Sequence, residues 1–370
     1  MVTDARLALL QACQPKSSRW LKALTRAGSP RALKRCSRAE LLACGLKRDE
    51  IHRYHSPDTR TISSWQRWLD DPRHGLVVFA DDDYPKALAE LPDPPLALWF
   101  NGGNPTLLNT PMLAIVGSRN PTGGGQRTAE AFATHLSQCG LTIVSGLATG
   151  IDSASHRGAL GGIGSTVAIL GCGIDVIYPR SNSRLAQDIA AHGLVVSEYP
   201  PGTPARPHRF PERNRIIAGL SLGTLVVEAT RRSGSLITAR LAAEYGREVF
   251  AIPGSIHNPL TRGCHRLIHN GAKLVEQTND ILSEIAVPLQ TSLLPPSPTD
   301  EQAGDPSMGD PCCTKLLDLL AYEALAIGEI VGKLGLTTAE LSSMLLHLEL
   351  GGFVEALPGG RYSRISKRYR

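Results

Sequence analysis

Between about residue 76 and residue 287, short apolar, β-favouring runs alternate with stretches of helical periodicity. The runs read GLVVFA, LALWFNG, MLAIVGS, LTIVSG, STVAILG, GLVVSE, GTLVVEA, REVFAIPG and KLVE. Each is nearly all apolar, as expected of strands covered on both faces. Parallel neighbours need a crossover between them, usually a helix, and such crossovers are right-handed. The alternation therefore predicts an α/β chain with a doubly wound, mostly parallel sheet. Nine candidate strands exceed a minimal Rossmann fold, so the expectation is an extended Rossmann-like domain over 76–287. LVVFA and LALWFNG are separated only by YPKALAEL, with no further helix-length pattern between them.

The flanks have different textures. Residues 1 to about 75 are short amphipathic segments (LALLQAC, RWLKALTRAG, SRAELLACGL, SSWQRWLD) whose apolar residues recur at three and four, the mark of helices. Arg and Lys outnumber Asp and Glu there about two to one, which suits either contact with a polyanion or a solvated basic surface. Residues 288–311, PLQTSLLPPSPTDEQAGDPSMGDP, are too poor in apolar side chains to pack and predict a disordered linker. In 312–370, KLLDLLAYEA, IGEIVGKLGL and TTAELSSMLLHLELGGFV precede EALPGGRYSRIS, a helical set followed by a hairpin, which predicts a winged helix. Thr337 and Glu340 are spaced as a capping box for its third helix. That helix is poor in Lys and Arg, so it is a weak groove reader.

A length of 370 residues suits two or three domains, and a net charge of +5 permits a nucleic-acid or phosphate partner without requiring one. The N-terminus lacks the apolar core of a signal peptide, and no stretch approaches the length of a membrane span, so a cytosolic protein without a membrane partner is expected. Eight cysteines, none in a C-x-x-C pair, read as reduced structural thiols, with no metal site.

In doubly wound sheets ligands bind beyond the carboxyl ends of the strands. After MLAIVG comes Ser118-Arg119-Asn120-Pro121-Thr122 and three glycines. After LTIVSG, whose strand ends on Ser145 and Gly146, comes LATGID. After STVAIL come Gly171, Cys172 and Gly173, then Tyr178-Pro179-Arg180-Ser181-Asn182. After GTLVVEA comes Thr230-Arg231-Arg232-Ser233-Gly234-Ser235. Glycines let backbone N–H groups approach phosphate, and helix N-termini add a favourable dipole. A further helix is predicted within HRFPERNRIIAGLS, with Pro211 in its first turn and Arg213, Asn214 and Arg215 crowding its start. Cations at the positive end of a helix are unfavourable unless an anion answers them. Convergence of Arg119, Arg180, Arg213 and Arg215 with Ser118, Ser145, Ser233 and Ser235 would be phosphate chemistry. Arg213 has a second reading as a structural partner of Glu212 or Glu228.

The motifs that would signal other chemistry are missing. There is no G-x-G-x-x-G with its acid and no G-x-x-x-x-G-K-[ST], and no G-x-S-x-G elbow, since the one such spacing, Gly219-Leu220-Ser221-Leu222-Gly223, leads from a helical pattern into a strand rather than from strand to helix. Asp152 and His156 lie four apart on one helix face. With no nucleophile beside them, they read as a helix-start acid and a packed histidine rather than as a catalytic pair.

AIVGSRNPTGGG, IVSGLATGIDSASHRGAL, GCGIDVIYPRSN, SEYPPGTPARPHRFPERNRIIAGLS, VVEATRRSGSLITARLAAEYGREVFAIPGS and RGCHRLIHNGA resemble the DNA-processing protein A family (DprA, also called Smf) and cover most of residues 112–276. The flanks resemble that family's accessory domains, a sterile-alpha-motif-like bundle and a winged helix. The resemblance implies a non-enzymatic homodimer that binds and protects incoming single-stranded DNA in natural transformation and loads the RecA recombinase onto it. No cofactor is implied. Matched by motif, Arg119 and Arg180 fall on basic DNA-contacting positions, Tyr178 where a base could stack, and Arg213 and Asn214 in the same pocket. With so few aromatics, only Tyr178 and Phe210 are placed for stacking, so phosphate contacts should dominate. Two alternatives remain open at this point. One is a Rossmann-like hydrolase of nucleoside-monophosphate N-glycosidic bonds, although its P-G-G-x-G-T motif is absent. The other is a duplex-binding regulator read through the winged helix.

Overall fold

The structure is a computed structural model. It describes residues 4–13 and 18–285, and in the C-terminal region 316–317, 319–320, 325–334, 341, 344–345, 348, 353–357 and 361–364. The expected linker at 288–311 and the Thr337–Glu340 capping box lie outside the described residues. Residues 1–294 form one compact unit and 295–370 a second.

Six helices open the chain: α1 (Asp4–Ala12), α2 (Ser18–Ala27), α3 (Pro30–Arg35), α4 (Arg38–Ala43), α5 (Arg48–His55) and α6 (Thr59–Leu69). Local chemistry sets their starts. The Ser29 hydroxyl accepts from Ala32 N–H, with Pro30 occupying the first helical position. Ser37 and Glu40 form a reciprocal capping box. The Asp58 carboxylate accepts from Arg60 and Thr61 N–H. Their apolar faces do not form an isolated core. Trp20, Leu24, Ile51, Tyr54 and Trp65 share one cluster with Trp99, Leu170, Ile189 and Val195 of the sheet domain. Trp65 and Trp68 meet Trp99 edge-on, with ring centroids 5.5 and 5.8 Å apart.

All nine expected strands form, in one sheet: β1 (His74–Val78), β2 (Ala97–Asn101), β3 (Met112–Val116), β4 (Thr142–Ser145), β5 (Thr166–Leu170), β6 (Leu194–Ser197), β7 (Gly223–Val226), β8 (Glu248–Ala251) and β9 (Lys273–Leu274). Their spatial order is β1-β2-β6-β5-β4-β3-β7-β8-β9. From β6 to β9 every neighbour is parallel, and β3 to β7 are buried throughout. β1 and β2 pair antiparallel, and β2 joins β6 antiparallel. The segment between β1 and β2 holds only a single helical turn, α7 (Lys86–Ala89), in place of a crossover helix. The crossovers are α8 (Gly123–Gln138), α9 (Ile151–Ala159), α10 (Ser183–His192), α11 (Arg209–Leu220), α12 (Ser235–Glu244) and α13 (Arg262–His269), and α14 (Thr278–Ile285) follows β9.

In the second unit, β10 (Leu325–Ala326), α15 (Ile327–Leu334), β11 (Val354–Leu357) and β12 (Arg361–Arg364) surround a core that includes Leu316, Leu320, Ile330, Leu345 and Val354. β11 and β12 make the antiparallel hairpin expected around Pro358-Gly359-Gly360, with β10 on the other side of β12.

Candidate nucleic-acid interface

The strand order reverses at β3, with β4 on one side and β7 on the other, so the carboxyl end of that pair is the fold's natural ligand crevice. Here the chain fills part of it with its own anion. The Glu228 carboxylate, just beyond β7, accepts from Thr122 N–H at 2.9 Å and from the Thr122 hydroxyl at 2.6 Å. The Thr122 hydroxyl in turn accepts from Gly125 N–H at the start of α8. A Cβ on Gly125 would lie 2.5 Å from the Glu228 carboxyl carbon. The glycines after β3 thus receive a carboxylate of the same chain at the helix start where a dinucleotide phosphate would sit. Glu228→Ala should lower stability by about 1–2 kcal/mol in a denaturant titration, the usual loss for a helix cap. An unchanged midpoint would show that the carboxylate contributes nothing to the crevice.

The loop after β4 is held in an unusual conformation. Leu147 is fully buried at φ 57°, a region that a non-glycine residue occupies only at a cost of order 1–3 kcal/mol. Three groups hold it. The Asp152 carboxylate accepts from Gly146 N–H at 3.1 Å and Ala148 N–H at 3.3 Å. The Asn182 amide donates to Leu147 O at 2.9 Å and to the Ser153 hydroxyl at 3.0 Å. Ser145 is buried, its hydroxyl donating to Ile115 O at 2.7 Å.

Against this loop lies the N-terminal half of α11. The guanidinium of Arg213, only 5% exposed, donates from Nη1 to Gly146 O at 2.7 Å and to Ile169 O. It ties the ends of β4 and β5 together beside Asp152. Burial pulls Arg213 down to about 10, with Asp152 opposing. Burial pushes Asp152 up, with Arg213 and the loop amides opposing. Arg215 is also 5% exposed, but its Nη2 donates to Glu198, and Asp93 lies 3.7 Å from its Nε.

The expectation that Arg213 and Arg215 face a sugar-phosphate chain therefore needs correction. Residues two apart on a helix project to different sides, and here both sides are interior. Arg213 is engaged inside the fold by two carbonyls, with Asp152 beside it, and not by the Glu212 or Glu228 of its structural reading. Glu212 instead accepts from the Tyr199 hydroxyl at 3.0 Å.

Asn182, Ser145 and Ser235 are likewise interior, each hydrogen-bonded within the fold. Gly171 and Gly173 are packing glycines. A Cβ on Gly171 would meet the Phe210 ring at 2.8 Å, and one on Gly173 would meet Thr203 N at 2.7 Å. Gly146 has no room for a side chain because the Arg213 guanidinium lies against it.

What stays accessible on this rim is a smaller set. Arg119 and Arg180 are exposed, and no ion pair engages either among the described residues. Tyr178 is 52% exposed, and its ring lies 5.3 Å from that of Phe210 at an interplanar angle of 38°. Ser118 and Asn214 are half-buried. The Ser118 hydroxyl accepts from Asn120 N–H, while Asn214 accepts from Arg213 Nε and reaches Gly234 O at 3.5 Å. Ser233 pairs its hydroxyl with that of Ser235 at 2.7 Å, leaving Gly234 exposed at the loop tip. Arg209, absent from the sequence-derived set, covers the Tyr199 ring at 4.7 Å from the same helix start. Its only signal in the sequence is its place beside Phe210. Asp152 and His156 do not form a reactive pair, since Asp152 holds the β4 loop and the His156 ring bonds Thr166 on β5.

Residues 75–286, more than half of the chain, match the DNA recombination-mediator protein A family. The chain belongs to that family. Residues 295–360 match the DprA winged helix domain. The Escherichia coli protein Smf is 40% identical over 326 residues, covering 87% of this chain and 86% of that protein. The DNA processing protein DprA of Streptococcus pneumoniae is 50% identical over 204 residues, covering 55% of this chain and 72% of that protein. The X-ray structure of DNA processing protein A from Streptococcus pneumoniae superposes with a TM-score of 0.68 at 39% identity, covering 77% of this chain and 99% of that one. DNA processing protein A from Helicobacter pylori, in a structure described for its single-stranded DNA binding mode, gives 0.53 at 31% identity over 58% of this chain and 96% of that one. Among the described residues, no helix of this DprA-family protein is long and apolar enough to cross a membrane.

Proposed function

We propose that this protein binds single-stranded DNA along the carboxyl rim of its sheet, protects incoming strands during natural transformation, and passes them to RecA as a homodimer. The observation that carries the DNA reading is the presence on one rim of two exposed guanidiniums without an ion pair among the described residues, Arg119 and Arg180, and of the exposed Tyr178 ring against half-buried Phe210. Cations answer phosphates, and the ring pair offers a surface on which an unpaired base can stack. The single-stranded DNA binding mode described for the Helicobacter pylori relative supports this choice of ligand. The hydrolase reading gains no support from the rim, where Glu228 caps the α8 start, Asp152 holds the β4 loop and His156 is fully buried against Thr166.

The test is a salt titration of a short labelled single strand by fluorescence anisotropy. Arg119→Ala and Arg180→Ala should each weaken binding about equally for every sequence and flatten the slope of log K against log salt by about one. Tyr178→Ala should cost about 1–3 kcal/mol with little change of slope. If both arginine variants keep the parent's slope, the rim does not meet phosphate and the reading fails. Homodimerisation and RecA transfer rest on the family resemblance. Light scattering and a strand-exchange assay with RecA would check them.

A further inference from the structure

From Ser18 to Arg48 the chain carries nine basic residues and a single acid, Glu40, a local net charge of +8. The whole protein is only +5, so everything outside this stretch sums to −3. The basic excess of the molecule therefore resides in α2, α3, α4 and the segment leading into α5, a stretch of sequence separate from Arg119 and Arg180, although the bundle's core is continuous with the β5 loop at Cys172, Ile174, Val176 and Ile177. Lys22 and Arg26 are exposed and four apart on α2, and Arg31 and Arg35 are exposed and four apart on α3. Each pair forms a one-sided stripe of like charge. Arg38, Lys47 and Arg48 are exposed on the following elements.

Few carboxylates moderate this field. Glu40 is tied to the Ser37 backbone and hydroxyl as part of a capping box. Glu50 faces Arg19 at 3.1 Å. His55, at the end of α5, is held below its ordinary value by burial and then by the charges of Lys34 and Arg38. Solubility would be served by charges of either sign spread over the surface, whereas crowding one sign costs self-repulsion unless a polyanion answers it.

We propose that this helical bundle is a second polynucleotide surface, built for the phosphate backbone of duplex DNA. The large aromatics of α2 to α5, Trp20 and Tyr54, are fully buried, and Trp65 and Trp68 of α6 pack against Trp99. The surface therefore has no indole or phenol ring on which to stack an unpaired base, and single-strand binders draw much of their affinity from such stacking. A duplex hides its bases and presents the denser array of phosphates, and rigid capped helices bearing cations suit that target. The rim differs in carrying the exposed Tyr178 ring, backed by half-buried Phe210, beside its cations Arg119 and Arg180. One compact unit thus offers two surfaces of different chemistry, one for each form of DNA.

The experiment uses the full chain carrying Lys22→Glu, Arg26→Glu, Arg31→Glu and Arg35→Glu together, titrated against a labelled blunt duplex and, separately, a short labelled single strand. Duplex affinity should fall by about a hundredfold at low salt and the salt slope should flatten, since both follow from the number of phosphates neutralised. Affinity for the short single strand should stay within about twofold of the parent. All four positions are exposed, and a urea melt confirms the fold. The milder pair Lys22→Gln and Arg26→Gln should show a smaller loss in the same direction. Duplex binding unchanged in both variants overturns the proposal, and so does an equal fall for duplex and single strand. The rim variants Arg119→Ala and Arg180→Ala in the same titrations report on the rim alone. Their failure to weaken the single strand would sink the rim reading and leave this one standing.

Discussion

Arg213→Ala is expected to lose about 3–5 kcal/mol of folding stability, the range for removing one partner of a buried charge pair. The parent guanidinium donates to Gly146 O and Ile169 O, so it bridges two adjacent parallel strands where their ladders end. It also supplies the positive charge beside the buried Asp152 carboxylate. Truncation removes the donor from both carbonyls and leaves Asp152 without its neighbouring cation. Asp152 would then take up a proton or draw in water, and its grip on the Gly146 and Ala148 amides would slacken. Leu147, held at φ 57° by this frame, would relax toward an ordinary conformation. The β4 loop lies against the one that carries Arg119, whose carbonyl accepts from the Thr149 hydroxyl at 3.2 Å. DNA affinity should therefore fall along with stability. Arg119→Ala separates the two effects, because an exposed arginine without an ion pair should leave the denaturation midpoint nearly unmoved while affinity drops. A double-mutant cycle with Asp152→Asn should show strong coupling, since residues in one buried network are not additive. An Arg213→Ala protein as stable as the parent would show that the guanidinium is not the tie between the strands.

The contrast between Arg119 and Arg213 shows where a sequence is readable and where it is not. Runs such as MLAIV and TVAIL declare strands buried on both faces, because apolar β-branched residues without alternation suit little else. Helices between them impose parallel order, and the position of the carboxyl rim follows. All nine strands and the loops at their ends were legible for that reason. Which way a rim side chain points was not. Arg213 and Arg215 share a motif dense in cations, yet they sit two apart on a helix with protein on both sides. Only the placement of Gly146, Ile169 and Glu198, each distant in sequence, turns them inward. Glu228 lies 106 residues from Thr122, and no local pattern links that acid to the helix start it caps. Glycine was ambiguous for a related reason. Lack of a side chain serves close approach by phosphate and close approach by Phe210 equally well, and at Gly171 the structure uses it for Phe210. Arg180 and Tyr178 lie at the surface while Leu147, in the matching loop after β4, is buried, so place in a strand-end loop does not by itself settle exposure.

Acid should destabilise this protein well above the range in which surface carboxylates protonate, through His156. The ring is fully buried, and Nδ1 lies 2.7 Å from the Thr166 hydroxyl. That hydroxyl gives its own proton to Ile143 O at 2.7 Å, so it accepts from the ring. Nδ1 therefore carries the hydrogen, and Nε2 is a bare lone pair with no partner among the described residues. Protonating Nε2 would place a cation in a dry site near Arg213. Burial first, and then the charges of Arg213 and Arg157, pull the histidine from 6.5 down to about 3. Between those two values the unfolded chain binds a proton that the folded chain refuses, so stability is fully present above pH 6.5 and is lost as pH falls toward 3. Each tenfold preference is worth about 1.4 kcal/mol, so the full window amounts to a few kcal/mol, a large part of the margin of an ordinary domain. Asp152 pulls the other way, since burial raises it and its protonation is then favoured in the folded state, but only below its own raised value. Denaturant midpoints measured from about pH 7.5 down to about pH 4.5 should fall steadily in the parent. In His156→Asn, which keeps a polar group toward Thr166 but cannot ionise, the fall should be much shallower, even if the variant starts from a lower stability at neutral pH. Parallel slopes in the two proteins would show that the proton is refused elsewhere and that the buried ring is not the acid-sensitive point of the fold.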